Sequence, residues 1–172
     1  MLASANIPSR AGTLTRDILA TKELVDFGDY FASENFKVGL TEGVGFNVYG
    51  HPKLRSDALM LAAKSFALGK GSTYFASLHQ LIGIINAKGE RLDMLRRIQY
   101  LFIDWFEREF AKTDERPYSF HELVAVEEFL TQRRYSKQIT FFSSVCTWDN
   151  HKWWSKDFLG GMSDIVINIK AG

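Results

Sequence analysis

The stretch ERLDMLRRIQYLFIDWFEREFAK, Glu90 to Lys112, decides how the chain is read. Taken with a period of 3.6, it places Leu92, Leu95, Ile98, Phe102, Trp105 and Phe106 on one stripe, and leaves Arg91, Arg96, Arg97, Glu107, Arg108 and Glu109 largely outside it. That pattern predicts one long amphipathic helix and, with it, a helical core. Asp104 is discordant. It sits between apolar neighbours in YLFIDWF, where it must face solvent or find a partner, because a buried unpaired charge is costly.

Helix punctuation surrounds this stretch. Ser56 precedes DALMLAAKSFAL, which stops at Gly69, and Ser72 precedes TYFASLHQLIGIINAK, which stops at Gly89. Both follow the rule of a serine start and a glycine stop. Pro117 separates the long helix from another, where Ser119-Phe-His-Glu122 matches a capping box before LVAVEEFLTQRR. Upstream, Thr13 or Thr15 caps a helix running to about Asn35, with Ile18, Leu19, Leu24, Val25, Phe27 and Phe31 as its apolar stripe. Gly28 weakens it. Residues 1 to 12 are small and polar, interrupted by Pro8 and Gly12, and read as a flexible N-terminal arm before a single globular domain of residues 13 to 172.

Extended segments show a period of two. In VGLTEGVGFNVYGHP, residues 38 to 52, Val44, Phe46 and Val48 share a face. The motif GxxxxGK[ST] is absent, and Gly39, Gly43, Gly45 and Gly50 do not match GxGxxG, so the glycines are assigned to bends and bulges. ITFFSSVCTW alternates, and SDIVINIKAG places Ile165, Ile167 and Ile169 on one face. The expected fold class is α+β: a single domain with a helical core of about five helices and a small, mainly antiparallel sheet that includes the C-terminal strands.

Composition bounds the function. Lysine plus arginine number 21 against 20 acids, so the net charge of +1 exerts no long-range pull on nucleic acid or an anionic membrane. A single cysteine excludes an intramolecular disulfide and a CxxC motif. No apolar run has the length of a signal peptide core or a membrane span. The expectation is a soluble cytoplasmic protein in a reducing compartment, without cofactor, metal or membrane partner.

The segment CTWDNHKWWSKDF, residues 146 to 158, carries the cysteine, a histidine and three of the four tryptophans. Tryptophans clustered in a turn are typical contact anchors, which makes Trp148, His151, Trp153 and Trp154 the candidate interaction surface. The leading expectation is a non-enzymatic protein-interaction or assembly protein, a homo-oligomer of viral or mobile-element type. The alternative is an RNA or single-stranded DNA binder. There Arg133, Arg134, Lys137, Lys152 and Lys156 hold phosphates and Tyr135 and Trp153 stack on bases.

A small enzyme is the third expectation, with Asp104, His121 or the pair Cys146 and His151 in a cleft. HELVA, residues 121 to 125, opens like the zinc motif HExxH but has Ala125 where the second histidine belongs. No metal ligand set and no catalytic residue is assigned.

Overall fold

A strand whose two faces are both covered reads as a continuous apolar run rather than an alternating one. The chain is built on such strands. The computed structural model describes residues 4–69, 71–106 and 118–172. Five strands, β1 (Gly45–Gly50), β2 (Thr73–Ser77), β3 (Tyr100–Asp104), β4 (Ile139–Ser144) and β5 (Val166–Ala171), form one sheet in the order β2-β3-β4-β1-β5. Every pairing is parallel.

Helices cover both faces. α1 (Val25–Ala32), α2 (Glu34–Glu42) and α3 (Pro52–Gly69) lie on one side, where Phe27, Phe36 and Phe66 pack with Phe46, Phe102 and Phe141 of the strands. α4 (Leu78–Ala87), α5 (Glu90–Arg97), α6 (Phe120–Tyr135) and α7 (Lys156–Ser163) lie on the other, against Leu101, Ile103 and Phe142. This is an α/β fold with an all-parallel sheet. The expected α+β class with a mainly antiparallel sheet is therefore wrong, and seven α-helices are present among the described residues instead of about five.

The stretch from Glu90 to Lys112 shows why. Among its described residues Glu90–Arg97 is the helical part; Ile98 is already extended, and Tyr100–Asp104 is a buried inner strand. Leu101 and Ile103 enter one core and Phe102 the other, so alternating faces yield a run with no alternation in polarity. The expectation for residues 107 to 112 lies outside the described residues. Likewise Thr73–Ser77 is a strand, and the helix expected from Ser72 starts at Ser77, whose side chain forms a capping box with Gln80. The helix expected from residue 13 to 35 is a 3-10 turn at Arg16–Ala20 followed by α1.

Other readings hold in part: residues 38–42 belong to α2 and not to an extended segment, and Ser56 lies inside α3, which begins at Pro52, instead of capping it. Residues 45–50, 139–144 and 166–171 are strands. Ser119 caps α6 in the expected capping box, and Ser119's bonds hold the Glu122 carboxyl below its ordinary pKa. With the folded value depressed, that contribution exists above the unfolded pKa and is lost as pH falls through the folded one. The segment read as a flexible arm lies along β2 and α3. Ala5, Ile7 and Ala11 are buried, and the Phe75 amide donates to the Ala5 carbonyl at 2.9 Å.

Gly45 sets the closeness of the central strands. A Cβ there would stand 2.0 Å from the Thr140 carbonyl oxygen of β4, a backbone atom that cannot swing aside. Gly45→Ala is expected to destabilise the fold by about 3 kcal/mol or more, as overpacking against an immovable neighbour does. Urea unfolding followed by circular dichroism checks this; a midpoint equal to that of the parent protein would count against the strand placement.

Candidate functional site at the carboxyl edge of the sheet

Open parallel sheets place ligands outside the carboxyl ends of the strands, where successive crossovers leave toward opposite faces. Here the helix after β1 goes to one face and those after β2, β3 and β4 go to the other, so the switch lies between β1 and β4. Side chains fill that place. Asp104, at the end of β3, is 4% exposed, and its carboxylate accepts from the Ser56 hydroxyl of α3 at 2.5 Å and from the Ser143 hydroxyl of β4. The Trp105 amide donates to Asp104 Oδ1 at 3.0 Å. Three elements are thus tied by one buried acid, whose desolvation is offset by these donors.

Two arginines border the cluster. Arg55 is fully buried, donates from Nη1 to the Gly50 carbonyl at 3.3 Å, and has its guanidinium 4.8 Å from the centre of the Trp105 ring. Arg10, exposed on its outer side, donates from Nη2 to the Ser56 hydroxyl at 2.8 Å and from Nε to Met60 Sδ at 3.4 Å. Trp105 has a positive φ of 55°, a conformation that costs a bulky residue of order 1–3 kcal/mol and persists only where its surroundings enforce it. A hollow of about 500 Å³ opens beside it, lined by Ser77, Gln80, Asp104 and Trp105 beneath Asn6, Ile7 and Pro8.

The sequence candidates fall elsewhere. Trp148, His151 and Trp154 are at most 6% exposed and stack with Phe106, while Trp153 is half-buried against the same core. They anchor the structure rather than form an exposed contact surface. Arg133 is also buried. It donates to the carbonyls of Leu95, Ile98, Gln99 and Ile139 and to the Thr140 hydroxyl, joining the ends of α5 and α6 to the start of β4. Burial pushes its guanidinium pKa down to about 9. Tyr135, Lys137, Lys152 and Lys156 are exposed and Arg134 is half-buried, so the cationic group loses its first member to the interior.

Of the enzyme candidates, Asp104 lies at this edge with its side chain in a bonded cluster, and Cys146 lies just beyond the end of β4. His121 is exposed in the first turn of α6, and no described hydrogen bond joins it to Asp104. Cys146 is half-buried, and its carbonyl accepts from the Asn47 side chain at 3.0 Å. Among the described residues no three His, Cys, Asp or Glu side chains converge on one point that could hold a metal, and no described helix is long and apolar enough to cross a membrane.

No family model matches the chain, and no curated protein is similar to it in sequence. Solved structures share its fold. A DnaC helicase loader superposes with a TM-score of 0.70 at 12% identity, covering 96% of this chain and 100% of that one. DnaI gives 0.60 at 15%, with 93% and 95% covered. AMPPCP-bound DnaA from Aquifex aeolicus gives 0.59 at 13%, with 80% of this chain but 44% of that one covered, so the chain spans less than half of that DnaA. The chain shares the fold of these proteins, which speaks against the expectation of a viral or mobile-element assembly protein.

One of those structures holds a nucleotide analogue, and phosphate-binding chemistry has definite requirements at this edge. A serine in the second turn of the helix after β1 and an aspartate ending β3 are the residue types that hold Mg²⁺ in P-loop NTPases. The loop itself does not fit. Only His51 separates β1 from α3, Pro52 has no N–H, the His51 amide is spent on Ala171 and the Arg55 amide on His51. The Ser56 hydroxyl donates to the Asp104 carboxylate. These residues do not form a phosphate cradle.

Trp154→Ala, which empties a stacked core position, is expected to cost about 3–5 kcal/mol. Thermal unfolding followed by near-ultraviolet circular dichroism reads it, and an unchanged melting temperature would return this tryptophan to the surface.

Proposed function

We propose that the chain acts in DNA replication, at initiation or helicase loading, and that it does so without turning over a nucleoside triphosphate. The observation that carries this reading is the all-parallel β2-β3-β4-β1-β5 sheet, matched to a helicase loader along nearly the whole of both chains. Its second half rests on the carboxyl edge, where the connection after β1 offers no phosphate loop. A protein or nucleic-acid component of that machinery is its partner, met in the compartment that holds the chromosome. Binding then depends on surface complementarity and not on a nucleotide cycle.

The test adds the purified chain to a reconstituted origin-unwinding reaction containing the initiator, replicative helicase and loader of the same cell. Helicase loading is expected to change several-fold, in either direction, as the chain approaches stoichiometry with its partner. An unaltered rate at tenfold excess (roughly ten times a stoichiometric dose) would sink the replication reading. Phosphate release from Mg²⁺-ATP is expected to stay at the buffer rate, and measurable turnover abolished by Asp104→Asn would sink the non-hydrolytic half.

A further inference from the structure

We propose that the switch-point crevice is a guanidinium-binding site, and that the segment from Ala5 to Thr13 is its in-chain occupant, with Arg10 as the ligand. The chemistry of the crevice selects a cation. Its buried acid is the Asp104 carboxylate, with the Arg55 guanidinium buried beside the same cluster, and the Ser56 hydroxyl spends its proton on that carboxylate, which leaves the hydroxyl lone pairs free to accept. Arg10 Nη2 donates to those lone pairs at 2.8 Å while Nε reaches the Met60 thioether at 3.4 Å. The result is a carboxylate–hydroxyl–guanidinium relay in which the acceptor is polarised by the charge behind it.

The rest of the segment delivers that arginine. The Ala5 carbonyl takes the Phe75 amide, the Asn6 side-chain amide donates to the Phe75 carbonyl at 2.7 Å, and Lys64 Nζ donates to the carbonyls of Gly12 and Leu14 at 3.3 and 2.9 Å. Asn6 adopts a positive φ of 55°, so the turn into the crevice is held by these bonds against a local cost. Asn6, Ile7 and Pro8 roof the hollow beside Asp104 and Trp105. Displacing the segment therefore exposes the carboxylate cluster and enlarges that hollow. The site is set by whether a guanidinium occupies it, whereas a nucleotide has no cradle here.

Hydrogen exchange on the full chain tests this. Arg10→Ala is expected to speed amide exchange across residues 5–13 and at the head of α3 by roughly tenfold or more, the loss of one charge-assisted hydrogen bond. Methylguanidinium at millimolar concentration is expected to restore protection in this variant, and methylammonium is not. Ser56→Ala, which keeps the arginine and removes its acceptor, is expected to loosen the same residues without rescue, and circular dichroism confirms that both variants fold. Exchange unchanged by Arg10→Ala, equal effects of the two cations, or protection of the α3 head by Mg²⁺-ATP in the parent protein would each overturn the proposal. These readouts do not involve helicase loading, so failure here and failure of the replication reading are separable.

Discussion

A parallel ladder gives up water on both of its faces, and the rest of the chain follows from covering them. The inner strands β3, β4 and β1 carry Leu101, Phe102, Ile103, Phe141, Phe142, Phe46 and Val48, all essentially inaccessible to solvent. Each strand must supply apolar side chains to two cores at once, so the helices cannot be placed on one side only. α3 alone runs behind most of the sheet, touching β1, β2, β3 and β4, and the aromatic cluster of Phe36, Phe46, Phe66, Phe102 and Phe141 fills the space between. With the strands fixed side by side, their carboxyl ends converge and polar groups there have to satisfy one another.

That edge is where structure and function meet. Asp104 unites α3, β3 and β4 through the hydroxyls of Ser56 and Ser143, and Arg10 brings a fourth element to the same hydroxyl. At the opposite edge Arg133 does comparable work with backbone carbonyls instead of an acid. Both are charges inside the protein, and both are tolerated because their bonding capacity is largely used. The resemblance to helicase loaders lies in the scaffold.

How much of this the sequence disclosed depends on whether a signal was local. The capping box at Ser119 and the alternation in ITFFSS and in VINIKA were legible because neighbouring residues carry them. YLFID was not, since a strand buried on both faces has the same apolar density as a helix, and the helical stripe from Leu92 ran straight into it. Strand direction left no local mark at all. Asp104 was recognisable as an acid needing a partner, but Ser56 and Ser143 stand 48 and 39 residues away. Trp148 and Trp154 were assigned outward by residue type, which does not say whether a turn folds over the core or away from it.

The position of β1 in the sheet bears on how the chain comes to be folded. Its partners on both sides arise late: Asn47 meets Ser144 across 97 residues and Asn168 across 121. During synthesis β1 therefore emerges first among the five strands, and its two neighbours β4 and β5 emerge last. Non-local pairing of this kind slows folding and prolongs exposure of a hydrophobic edge. α3, which follows β1 immediately and packs on it, is the available shield in that interval.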